Sequence, residues 1–139
     1  MQPFKVVTPP ALPKGISILI VDDDSELVGL MVIFLAHEGA SVVVAASARE
    51  AVAVLESQPI DVVMSDINMP SEDGYWLIDI IRHSDQQAVR NVPAVAVTAA
   101  AGPEARERAL GMGFDEFVGK PVDLALLLEK IDAACQHAR

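Results

Sequence analysis

From Ile16 onward the chain alternates five times between a short apolar run and a segment with helical spacing. No other feature constrains the fold as much. The runs are ISILIV from Ile16, SVVVAA from Ser41, IDVVMSD from Ile60, VPAVAVTA from Val92 and EFVGK from Glu116. Most are continuous rather than alternating, as strands are when both of their faces are covered. The intervening segments repeat with helical period. Leu27, Leu30, Met31, Phe34 and Leu35 mark the first, which Gly39 stops. Ala48, Ala51, Val52 and Leu55 mark the second, with Ser47 as its N-cap. Leu77, Ile80 and Ile81 point inward from the third, Pro103 opens the fourth, and Leu124, Leu127, Leu128 and Ile131 line the last. Such alternation predicts an α/β domain, a five-stranded parallel sheet with helices on both faces.

In sheets of this kind the site lies beyond the carboxyl ends of the strands. The first strand ends in Asp22, Asp23 and Asp24, the third in Asp66, the fourth in Thr98 and the fifth in Lys120. The second ends only in Ala45 and Ala46. Like charges at about 4 Å repel by about 4 kcal/mol at an effective dielectric of about 20, so the acids need compensation. A hard divalent cation such as Mg²⁺ supplies it, because it takes oxygen ligands and reverses the local field. A carboxylate beside that cation can attack a phosphoryl group, an ammonium can pair with the group, and a hydroxyl can bond its oxygens.

The chain has 139 residues, 52% of them hydrophobic, enough for one domain with a real core. Residues 1–15 carry Pro3, Pro9, Pro10, Pro13 and Gly15 and read as a tail or linker, with the domain over 16–137. A formal charge of −10 without a basic cluster argues against a nucleic-acid partner. The apolar runs fall short of the roughly 18–20 residues that span a membrane, and no signal peptide opens the chain. The single Cys135 excludes an internal disulfide and suits a reducing compartment, so the expected location is cytoplasmic.

The motifs ILIVDDD, VVMSDINMP, DG, AVAVTA and FVGKP, in this order and at these separations, resemble the receiver domain of two-component response regulators. The resemblance covers about residues 16–137 and implies a (βα)5, flavodoxin-like fold. It implies that Asp66 accepts a phosphoryl group from a histidine kinase or a histidine phosphotransfer protein. Asp23 would hold Mg²⁺ directly, Asp22 mainly through water, and Asn68 through its backbone carbonyl, with Asp66 completing the metal set. Thr98 and Lys120 would hold the phosphoryl oxygens, and the Lys120–Pro121 bond would be cis. Asp24 would belong to the first helix. The switch aromatic, three positions before the lysine, is Phe117 where the family usually has tyrosine, so one polar contact is lost. Its output face would be the helix–strand–helix portion from Pro103 to Gln136, binding a downstream protein or a second copy. Such a domain is a phosphoacceptor and not an enzyme, with self-catalysed phosphorylation and dephosphorylation only.

Each motif has a plainer reading. Asp22 to Asp24 could cap a helix, Asp66 could cap a loop, Thr98 could be a turn residue, and Lys120 a solvated lysine. Phe117 could simply be core. His37, His83 and His137 lack metal-ligand spacing and read as surface, while Cys135 reads as half-buried and inert. Two alternatives stay open. One is a haloacid-dehalogenase-like phosphatase, whose acidic signatures DDDSE and the C-terminal region match poorly. The other is a receiver-fold binding module that works without phosphorylation. No output domain follows the last helix, which fits a stand-alone regulator or a piece of a hybrid kinase.

Overall fold

The computed structural model describes residues 12–100 and 102–137. Five strands alternate with six helices: β1 (Ser17–Val21), α1 (Ser25–His37), β2 (Ser41–Ala45), α2 (Ala48–Ser57), β3 (Val62–Asp66), α3 (Gly74–Arg82), α4 (Gln87–Arg90), β4 (Ala94–Thr98), α5 (Pro103–Met112), β5 (Glu116–Gly119) and α6 (Leu124–Gln136). All strand pairs are parallel, in the order β2-β1-β3-β4-β5. The chain moves outward from β1 to β2, then crosses back to β3 on the other side of β1. The strand order therefore reverses between β1 and β3, where an open sheet leaves a crevice at its carboxyl edge.

Successive strand residues face opposite sides, which splits the core in two. Ile18, Ile20, Val62, Met64, Val95 and Val97 pack under α1 and α6. Leu19, Val21, Val63, Ala94 and Ala96 pack under α2, α3, α4 and α5. β3 and β4 are buried at every position, as their uninterrupted apolar runs require. β2 is an edge strand, and Val44 is 45% exposed there. Acidic or hydroxyl N-caps start α1, α2, α3 and α6: Asp24 accepts from Leu27 N, Ser47 from Glu50 N, Asp73 from Trp76 N, and Asp123 from Ala125 N and Leu126 N.

Several expectations need correction. Part of the segment read as a tail packs on the domain. Leu12 is 3% exposed and joins the α1–α6 core, and Gly15 N donates to Gly39 O at 2.7 Å. Leu12 and Pro13 lie outside any helix or strand, and the Leu12 side chain shares its cluster with Ile16 and Ile18. The rest of the proposed tail, residues 1–11, lies outside the described residues. On α1 the buried stripe is Val28, Met31 and Leu35, while Leu30 is 54% exposed. On α3, Ile78 is buried and Ile80 is 39% exposed. Cys135 is exposed, not half-buried. Partial burial of the thiol and the charges of Asp132 and Asp61 push it above its ordinary pKa.

Candidate functional site

The four strands with polar ends are the four neighbours β1, β3, β4 and β5, so their termini lie side by side. Register aligns Val21 with Ser65, Asp66 with Val97 and Thr98 with Gly119. Lys120 N donates to Thr98 O at 2.8 Å, which fixes where the lysine leaves the sheet. The Lys120–Pro121 bond is cis.

Three carboxylates meet at this edge. Asp22, Asp23 and Asp66 each offer an oxygen within 4.8 Å of the others. Asp22 is 3% exposed and Asp66 6%, while Asp23 is open to solvent. Asp22 Oδ1 is held by the backbone N–H of Asp24 at 2.9 Å, and Asp66 Oδ1 by that of Asn68 at 3.2 Å. Lys120 Nζ reaches between them, 3.1 Å from Asp22 Oδ2 and 3.3 Å from Asp66 Oδ2. Thr98, fully buried, stands on the next strand and accepts from Asn68 Nδ2 at 3.1 Å.

Burial holds the Asp66 carboxyl above its ordinary pKa, and the Asp22 charge adds to this; Lys120 and the Asn68 N–H oppose both. For Lys120, burial alone would lower the pKa. The hydrogen bond to Asp22 and the charges of Asp22 and Asp66 outweigh it, so the amine stays charged. The cluster thus concentrates negative charge that one ammonium only partly offsets. All of its candidate ligand atoms are oxygens, the donor set that suits Mg²⁺ and similar hard cations.

Gly74 shapes the wall beside Asp66. A Cβ there would lie 2.5 Å from Asp66 O and 2.7 Å from Ile67 Cα, so the start of α3 approaches the loop after β3 more closely than any side chain allows. Gly74 N donates to Ile67 O at 2.8 Å across that contact. The DG motif thus starts α3, with Asp73 as its N-cap and Gly74 set against the backbone of Asp66. Two arginines flank the same region. Arg49 pairs with Glu72 at 2.7 Å and lies 5.3 Å over the Trp76 ring, and Arg108 lies 4.1 Å over Tyr75.

The chain matches the response regulator receiver domain over residues 18–132. It belongs to that family. A 14.6 kDa protein of Leptolyngbya boryana is 39% identical over 118 residues, 85% of this chain and 88% of that one. The CAI-1 autoinducer sensor kinase/phosphatase CqsS of Vibrio cholerae is 34% identical over 84% of this receiver, which spans only 17% of that kinase. Among solved structures, the receiver domain of a Pseudomonas aeruginosa sensor histidine kinase is 30% identical, with a TM-score of 0.79, over 88% of this chain and 99% of that one. That structure has a magnesium ion coordinated in its active-site cleft. The five-stranded flavodoxin-like fold is that of the chemotaxis regulator CheY4 of V. cholerae as well. Receiver domains are phosphoacceptors of two-component signalling that work with histidine kinases or phosphotransfer proteins. The described residues of this receiver contain no helix long and apolar enough to cross a membrane.

The sequence placed Asp22, Asp23, Asp66, Thr98 and Lys120 at one edge, and the structure brings them together there. Phe117 pairs in register with Ala96 and packs, half-buried, on the face under α2 to α5. The bond from the Asn68 side chain to Thr98 has no signal in the sequence, because an asparagine two residues past a strand reads only as loop.

Proposed function

We propose that this receiver takes a phosphoryl group on Asp66 from the phosphohistidine of a kinase or phosphotransfer protein, with Mg²⁺ held at Asp22, Asp23 and Asp66 and at the Asn68 backbone carbonyl. The observation that carries this reading is the placement of Asp66. It is a nearly buried carboxylate with one oxygen fixed by a backbone N–H and the other within reach of an ammonium. In the transfer, Asp66 attacks as the carboxylate. A P–O bond forms to its oxygen, the P–N bond to the donor imidazole breaks, and the imidazole leaves with the electron pair and takes a proton. Bound Mg²⁺ supplies positive charge to the phosphoryl oxygens and to the acids that would otherwise repel them.

The chain's own groups do the positioning. Lys120 lies between Asp22 and Asp66 and pairs with a phosphoryl oxygen once the group is in place. Thr98 offers its hydroxyl from the neighbouring strand. Drawing Lys120 and Thr98 toward the phosphoryl group biases the α5–β5–α6 portion between two states, with Phe117 as the reporter on its inner side. That portion is the surface for a downstream protein or a second copy. Turnover is confined to the domain's own phosphorylation and dephosphorylation.

Intact mass after incubation with acetyl phosphate and Mg²⁺ tests the reading. One hydroxylamine-labile phosphoryl group should appear on the wild type, and none on Asp66→Asn or without Mg²⁺. An adduct that persists on Asp66→Asn would refute the assignment. If acetyl phosphate proves too poor a donor, Mg²⁺-dependent binding of beryllofluoride decides it. Failure there would favour a binding module that works without phosphate.

A further inference from the structure

We propose that the Asn68 side chain is a positioning residue that fixes the Thr98 hydroxyl as a donor aimed at the phosphoryl group on Asp66. The proposal rests on the phosphoacceptor reading above. A threonine hydroxyl has one O–H to donate and two lone pairs to accept with. Thr98 Oγ1 accepts from Asn68 Nδ2 at 3.1 Å and from the backbone N–H of Ala100 at 3.3 Å. Both lone pairs are therefore engaged, and the remaining valence is the proton. Thr98 is 0% exposed, so bulk water does not compete for it. Among the described residues no hydrogen bond uses that proton as donor.

The two donors come from different places, one from the loop after β3 and one from the turn after β4. Together they hold the oxygen from both sides. Asn68 also sends its backbone N–H to Asp66 Oδ1 at 3.2 Å. One residue thus touches both the carboxylate that carries the phosphoryl group and the hydroxyl that steadies it. A hydroxyl whose lone pairs are occupied presents its proton to an anionic oxygen without first rotating, which is how preorganised donors gain their advantage. Without the Asn68 amide one lone pair is released, and the hydroxyl can turn that lone pair, repulsive to an anion, toward the site.

The test is a double-mutant cycle on beryllofluoride binding at saturating Mg²⁺. Asn68→Leu keeps the size of the side chain and removes the donor. In the chain with Thr98 it should weaken binding about 2- to 10-fold, the range of one hydrogen bond. In a Thr98→Ser background, which keeps the hydroxyl, the loss should be similar. In a Thr98→Ala background it should vanish. Equal loss in the Thr98→Ala background would mean that Asn68 acts through loop structure and would overturn the proposal, as would no loss with Thr98 present. A wild type that binds no beryllofluoride would instead overturn the phosphoacceptor reading beneath it, so the two failures are distinct.

Discussion

Asp66→Asn should make the metal-free domain more stable, and the gain should grow with pH. The Asp22 carboxylate, within 4.8 Å, repels Asp66 by about 3.5 kcal/mol at an effective dielectric of about 20. Asp23 is exposed, and its repulsion is nearer the aqueous value of about 1 kcal/mol. Lys120, 3.3 Å away, attracts Asp66 by about 5 kcal/mol on the same scale. These nearly cancel, so burial of the charge decides the balance, and burial is the first cause of the raised Asp66 pKa. Asparagine keeps the shape and removes the buried charge, worth about 1–2 kcal/mol once Lys120 turns wholly to Asp22. For a domain of this size that is a melting temperature higher by about 3–8 °C. Because the folded pKa of Asp66 lies above its ordinary value of 3.8, the folded wild type binds more protons than the unfolded chain in the window just above 3.8. Its stability therefore falls as pH rises through that window, and the Asn variant lacks this slope. Thermal melts in EDTA from pH 4 to 8 check both points. A lower melting temperature for Asp66→Asn at pH 7, or a gap that narrows as pH rises, would refute the reasoning.

Mg²⁺ at 100 times its Kd should stabilise the wild type by about 2.7 kcal/mol, and a thermal-shift titration should show this gain largely lost in Asp23→Ala, whose metal-free form melts no lower than wild type. Gly74→Ala should cost about 2–3 kcal/mol in denaturant melts and slow phosphorylation, because its Cβ meets the Asp66 and Ile67 backbone at 2.5 and 2.7 Å. Arg82→Ala should cost about 3–5 kcal/mol by the same assay. The Arg82 guanidinium donates to Gly113 O, Arg90 O and Val92 O and pairs with Asp115, whose side chain is 3% exposed, at 3.2 Å.

The parts of this molecule that the sequence disclosed are those set by local pattern. The continuous runs that became β3 and β4 announce two covered faces, and the polar residue that ends each run marks the edge where the site lies. Asp24 and Ser47 cap their helices because short acceptors before an apolar stripe have little else to do. What stayed hidden depends on contacts distant in sequence. Leu12 stands next to Pro13 with no periodicity to mark it, and it is buried only through the cluster it shares with Ile16 and Ile18. Ile78 replaces Ile80 in the core because α3 is covered by both α2 and α5, which turns its buried stripe. The short α4 has too few residues for a period to show. Arg82 and Asp115 lie 33 residues apart, and nothing in either neighbourhood names the other. The Asn68 amide on Thr98 spans 30 residues and is hidden for the same reason.

The most direct test of the central claim is to locate the phosphoryl group. The receiver would be phosphorylated with acetyl phosphate and Mg²⁺, reduced with borohydride, which converts an aspartyl phosphate to homoserine, and sequenced by peptide mass spectrometry. Homoserine at position 66 alone is the predicted result. Homoserine at position 22 or 23, or phosphate retained on a serine or threonine, would contradict the account.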